Sequence, residues 1–318
     1  MREQTTFAGL AWTQKRKQTR RERFLTEMDQ VIPWKRLIAL VEPHYKNPGR
    51  GRQPMGLETM LRIYFLQHWF DLSDPAAEDA LYDSESMRRF VGVELGEDRV
   101  PDESTILRFR HLLEEHDLTR AMFDEIGSLL EEKGLLLKQG TIVDATIISA
   151  PSSTKNQKGE RDPEMRQTRK GNNWYFGMKV HVGTAMNGLV HTLTTTDAAQ
   201  SDIKQMDSLL HGEEEVVYGD SAYWKNADRA AFRKKGIRYR INKRATRNNP
   251  LSARWKQVNR ARSTVRARGE HPFRIVKQLW RFAKVRYRGL AKNTARAYAA
   301  FGLANLYLAR RDLLRAGA

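Results

Sequence analysis

A change of apolar period near residue 135 divides this sequence into a part built for helices and a part that needs a sheet. In LETMLRIYFLQHWF (57–70), Leu57, Met60, Leu61 and Tyr64 recur at helical spacing, with Phe65 and Trp69 beside them. Asp102 predicts an N-cap for a helix through STILRFRHLL. Leu118, Met122, Phe123, Ile126, Leu129 and Leu130 stripe a further helix over 117–133, ended by Gly134. From Thr141 the pattern turns β-branched, and TIVDATIISA, MKVHVGTA and GLVHTLTTT predict strands, the last two joined by a turn at 186–188. A helix over DIKQMDSLL, a short strand in VVYGDSAYW, a helix over NADRAAFRKKG and a strand in IRYRIN follow. Such an order predicts an all-helical N-terminal domain over 1–135 and an α/β domain with a mixed sheet over 136–318. Residues 243–255 read as a polar, basic loop, the start of a basic insert reaching about residue 262.

The charge says what kind of partner to expect. Fifty-six Lys and Arg against 38 Asp and Glu leave +18, and so basic a chain favours a polyanion, because its cations release counterions from phosphates. Seven basic residues crowd 1–24, among them Lys15, Arg16, Lys17, Arg20 and Arg21, as a nucleic-acid arm or a solvated tail. The absence of cysteine excludes disulfides, thiolate zinc sites and Cys nucleophiles. No apolar run approaches the ~20 residues of a membrane helix, and residues 1–24 lack the apolar core of a secretory signal, so the cytoplasm is expected. No GxxxxGK[ST] loop or HExxH helix is present, so neither a bound nucleotide nor a zinc helix is expected.

Three acids stand out. Asp144 is the only charge in the apolar run 141–150 and shares a strand face with Ile142, Thr146 and Ile148. An ionised carboxylate there is costly unless a metal ion, a salt bridge or a structural hydrogen bond compensates it. Asp220 follows Val216 and Val217 through Tyr218 and Gly219, at the carboxyl end of a strand, where such sheets carry their sites. Glu270 is the only acid between Asp228 and Asp312, and sixteen basic residues lie with it from Arg233 to Lys277. A lone Glu on a surface that merely binds DNA repels phosphate, whereas a Glu holding a metal ion attracts it; a salt bridge with Arg266 is the plainer alternative. Arg266, Glu270, Phe273 and Lys277 fall at helical spacing, but Pro272 predicts a kink after Glu270 or a helix restarting there. Three carboxylates far apart in sequence suit phosphoryl transfer by two Mg²⁺ ions about 4 Å apart, with no protein nucleophile.

At these residues the chain resembles DDE transposases of insertion-sequence family five, within the insertion-sequence four/five superfamily. PDESTILRFRHLLE resembles the family's helical N-terminal region, TIVDATIISAP its first catalytic strand, and VVYGDSAY its second catalytic block. DPEMRQTRKGNNWYFGMKVHVGTAMNGLVH resembles the segment between those two, and RARGEHPFRIVK with VRYRGLAKNTARAYAAFGLANLYLARR the C-terminal block. The resemblance implies a ribonuclease-H-like catalytic domain whose Asp144, Asp220 and Glu270 bind two Mg²⁺ ions, with Mn²⁺ substituting. The superfamily signature Tyr-x2-Arg-x3-Glu-x6-Lys is matched by Arg266, Glu270 and Lys277, but Ser263 holds the Tyr position. Arg266 and Lys277 are then expected to hold DNA phosphate, with Arg262, Arg274 and the N-terminal cations along the DNA path. Trp174, Trp255 and Trp280 are candidates to stack on unpaired bases or to pack as ordinary core and surface residues.

The function so implied is a DNA transposase that binds terminal inverted repeats, cleaves the element ends and joins a 3′-hydroxyl to target DNA, as a dimer or larger. The alternatives are a DNA-binding repressor with an inactive catalytic domain and a ribonuclease-H-like nuclease without joining activity.

Overall fold

The computed structural model describes residues 15–45, 53–155, 157, 159–246 and 248–316; Arg2 and most of the basic loop over 45–54 lie outside them. Helices fill the N-terminal part: α1 (Arg20–Val31), α2 (Trp34–Val41), α3 (Leu57–Phe70), α4 (Asp74–Asp83), α5 (Glu85–Val91), α6 (Glu103–Glu115) and α7 (Leu118–Glu132). Their ends carry local signals. Thr19 and Glu22 form a reciprocal capping box on α1, Asp102 caps α6 through Thr105 N–H at 2.7 Å, and Gly134 leaves α7 at φ +67°. The middle of α3 is buried on all sides from Met60 to Trp69, save Arg62, which explains why its apolar stripe is broad.

The strands are β1 (Gly140–Ser149), β2 (Arg166–Lys170), β3 (Asn173–Ala185), β4 (Val190–Asp197), β5 (Val216–Gly219) and β6 (Arg238–Ile241). They form one mixed sheet. β1 lies antiparallel to β3, which is antiparallel to β4, and parallel to β5, which is parallel to β6. Its main path is therefore β4-β3-β1-β5-β6, while β2 pairs with the first residues of β3. The sequence reading contains no β2, because RQTRK has no apolar alternation; it is an exposed hairpin arm.

Two segments differ from expectation, and a third settles an open alternative. DIKQMDSLL forms two tight turns, Asp202–Gln205 and Asp207–Leu209, rather than a helix. The segment lies directly on the sheet, for a Cβ at Gly183 would come within 2.2 Å of the Leu209 carbonyl oxygen. The basic loop ends early: Ser252 caps α9 (Ala253–Arg266), so half of the basic insert is helix. At Pro272 the second expected outcome holds. After a 3₁₀ turn (Ala267–Glu270), α10 (His271–Arg274) restarts with Pro272 in its first turn and runs into a π turn (Ile275–Leu279).

Helix α11 (Leu290–Ala316) then runs back across the molecule, packed against α7, α1 and β4. Asn305 brackets Val190 at the start of β4, accepting its N–H at 2.8 Å and donating to its carbonyl at 2.7 Å, and Tyr298 donates to Leu193 O at 3.0 Å. One apolar cluster runs without a break through Leu25, Phe65, Leu113, Phe123, Val182 and Phe301, linking helices, sheet and α11. A smaller cluster including Val143, Val217, Tyr223 and Ile241 lies elsewhere along the sheet. Among the described residues no helix is long and apolar enough to cross a membrane.

Candidate active site

Register brings the first two acids together. Val143 pairs with Gly219 in the parallel β1–β5 ladder, so the next residues, Asp144 and Asp220, emerge side by side. A Cβ at Gly219 would sit 2.8 Å from Ile241 Cδ1 and 2.9 Å from Val143 Cγ2, so only glycine lets β5 lie this close to its neighbours. Asp220 then caps the turn Ser221–Tyr223, accepting from Ala222 N–H at 2.8 Å.

Glu270 arrives from the other side of the chain. The 3₁₀ turn that carries it presses Gly269 onto β1, where an added Cβ would lie 2.9 Å from Ile142 Cγ2 and 3.3 Å from Thr184 Oγ1. Gly269→Ala is therefore expected to lift the turn off the sheet and cost about 1–3 kcal/mol, read as a lowered unfolding midpoint. An unchanged midpoint would show that the contact is not tight.

Arg266 joins two of the acids: its guanidinium donates to Asp144 Oδ2 at 2.8 Å and to Glu270 Oε1 at 2.9 Å. The salt bridge considered from the sequence is thus present, with a second arm reaching Asp144. Burial raises the Asp144 carboxyl to about 6; Arg266 and the Ala145 N–H pull it back, while Asp220 and Glu270 push it further up. Lys277, placed with them by spacing, donates instead to Thr146 Oγ1 at 3.0 Å and Ile147 O at 2.9 Å, and burial lowers its pKa.

Among the described residues no three His, Asp or Glu side chains converge closely enough to hold a metal ion by themselves. The donor set nonetheless fits a hard divalent ion. Asp144, Asp220 and Glu270 offer only carboxylate oxygen, and the Arg266 guanidinium already stands as a cation between Asp144 and Glu270.

The other sequence candidates scatter. Arg262 donates to Ile241 O at 2.6 Å, a tie to the sheet, and Arg274 is exposed. Lys15, Arg16, Lys17, Arg20 and Arg21 are exposed around the start of α1; Lys15 pairs with Glu22, and Arg21 reaches Ser84 Oγ at 3.2 Å. Ser263, at the Tyr position of the signature, accepts from Asn242 Nδ2 at 2.9 Å. Trp280 is core, buried against Tyr307, and stacks on nothing external; Trp255 is half-buried and Trp174 is 67% exposed. Sequence reasoning passed over Arg229, Arg233, Arg238 and Arg240, which gather beside Trp224 and Trp255. Their signal was the helical i, i+4 spacing of the first pair and the strand alternation of the second.

Comparison with known families finds two matches along the chain. Residues 13–112 match the family described as Transposase domain (DUF772), and residues 136–306 match the Transposase DDE domain. No solved structure matches the chain. With more than half of its length inside the second match, the chain belongs to the DDE transposase family.

Proposed function

We propose that this protein is a DNA transposase of insertion-sequence family five that cleaves the ends of its element and joins the freed 3′-hydroxyl to target DNA. The observation that carries the reading is that Arg266 ties Asp144 to Glu270 from a distant part of the chain, while strand register sets Asp220 beside Asp144 in a mixed sheet ordered β4-β3-β1-β5-β6. In this reading Asp144, Asp220 and Glu270 are the catalytic carboxylates. They would hold two Mg²⁺ ions, for which Mn²⁺ substitutes, and the ions would neutralise phosphate charge and acidify the attacking water.

The remaining roles belong to the chain's own groups. Half-buried Asp144 is held on a central strand by Arg266, and Asp220 is held by its turn, so the two donors need little reorganisation. Arg266, once displaced from the acids, is placed to hold a DNA phosphate next to them, a task its planar fork suits. Lys277 braces the π turn against β1 and so steadies the Glu270 segment. Residues 1–135 form the domain that reads the terminal inverted repeats, and 136–318 the catalytic domain. Holding two ends together requires a dimer or larger, and the substrate places the protein with the bacterial nucleoid.

The test is incubation of purified protein with labelled terminal-end DNA and Mg²⁺ or Mn²⁺. Metal-dependent cleaved and joined products are expected. Binding without product would point to a repressor, and cleavage without joining to a nuclease.

The raised Asp144 pKa gives the reading a pH signature. Protonated Asp144 cannot ligate, so Mn²⁺ affinity should rise with pH up to about 6 and level off above it. Isothermal titration with Mn²⁺ on either side of pH 6 measures this; equal affinities would remove Asp144 from the metal site. Folding stability of the metal-free protein runs the opposite way. The folded pKa lies above the ordinary aspartate value of 3.8, so the folded chain binds more protons and loses stability as pH rises through that window.

A further inference from the structure

A cleft of about 970 Å³ opens against the edge strand β6, between α8 (Asn226–Lys234) and α9. Six cations line it: Arg229, Arg233, Lys234, Arg238, Arg240 and Arg262. Of these, only Arg238 has a carboxylate partner among the described residues, Glu215 at 3.2 Å. Arg229 and Arg240 also act on Arg262, depressing its pKa after burial has done so, as crowded like charges must. Between the cations lie Trp224, Tyr239 and Trp255; the two tryptophans meet edge to face at 6.3 Å, and Lys243 and Arg262 stand 4.9 and 5.5 Å from the Trp255 ring. The cleft begins near Asp220, because Trp224 directly follows the turn that Asp220 caps.

We propose that this cleft binds a short run of unpaired DNA leading to or from the acids. The proposal rests on the reading of the protein as a DNA-cleaving enzyme and adds the form of DNA held at this place. Charge alone would serve a duplex equally well. The rings decide, for a duplex hides its base faces in the stack and offers a recessed tryptophan only phosphate and sugar. An unpaired strand lays its phosphates along the rim and its bases on the rings, and every base has a face to stack.

The experiment measures binding in EDTA, where no chemistry occurs, of a labelled oligothymidylate and of a duplex of equal length. The proteins are wild type, Trp255→Ala and the double variant Arg233→Gln/Arg240→Gln, whose two arginines are exposed and without ion pairs among the described residues. Wild type should bind the single strand more tightly than the duplex. Trp255→Ala should weaken the single strand about 5- to 100-fold and the duplex hardly at all. The double variant should reduce the salt slope of single-strand binding by about 1–2. Thermal melting checks that both variants are folded. Preference for duplex, equal weakening of both ligands by Trp255→Ala, or an unchanged salt slope in the double variant would each overturn the proposal. Failure of the enzymatic reading shows separately, as absence of metal-dependent products from wild type on end DNA.

Discussion

Asp220→Asn is expected to abolish cleavage and joining of terminal-end DNA, by on the order of 10³-fold or more, while leaving the fold intact. The substitution is chosen for what it preserves. Asp220 caps the turn after β5 through a 2.8 Å bond from Ala222 N–H, and asparagine caps as well as aspartate does. Its Oδ1 can keep that bond, and no side chain has to move. What disappears is one negative charge beside Asp144 and one strong oxygen donor for a divalent ion. The carboxylate neighbours then repel less, so Asp144, now raised to about 6 partly by Asp220, should move back toward its ordinary value. Unfolding midpoint, DNA binding and product formation are measured on one preparation. Full joining activity in a folded, DNA-binding variant would remove Asp220 from the catalytic set. Loss of activity together with loss of fold would say nothing of charge, which is why the amide is preferred to alanine.

The largest stability effect is expected far from the three acids. Asp71 ends α3 in a left-handed conformation, φ +54°, and its Oδ1 accepts from Arg286 at 2.6 Å and from Arg296 at 2.8 Å. Arg296 is nearly enclosed, with its side chain 6% exposed, and burial is the leading cause of its lowered pKa. Asp71→Asn keeps a residue that tolerates φ > 0 but leaves two guanidinium charges without their carboxylate. Breaking a buried pair from one side costs roughly 3–5 kcal/mol, here toward the lower figure because Asp71 is 28% exposed. A midpoint lowered by about 5–10 °C in calorimetry is expected, against little change for Asp79→Asn, an exposed aspartate nearby. Equal midpoints for the two variants would show that the arginines find other compensation.

How much of this was legible beforehand differs by element. The helical N-terminal part and five of the six strands follow from periods, and the place of Asp220 from a strand's carboxyl end, whereas its pairing beside Asp144 comes from the β1–β5 register. The i, i+4 contact of Arg266 with Glu270 is local. Its other arm reaches Asp144 across 122 residues of chain, and no spacing rule encodes that distance. Lys277 shows the converse. It has the right interval from Glu270, but 3₁₀ and π turns on either side of α10 change the rotation per residue, so helical spacing no longer means a shared face. Strand β2 was illegible because an exposed hairpin needs no apolar side chains. The role of α11 was hidden for another reason: alanines such as Ala297, Ala300 and Ala304 bury against α7, α1 and β4 with little hydrophobic signal of their own.

The position of α11 has a consequence for how the protein is made. A chain emerging from the ribosome folds from its N-terminus, element by element, as residues appear. Here α1 and α7 leave the ribosome early, yet the helix that covers them is synthesised only after all six strands. Until it arrives, Leu25, Met28, Phe123 and Ile126 lack a wall of their core, and Arg296 has not yet met Asp71. A message broken before the codons of α11 should therefore leave α1 and α7 without the wall they pack against, so the helical part depends on a segment made long after it.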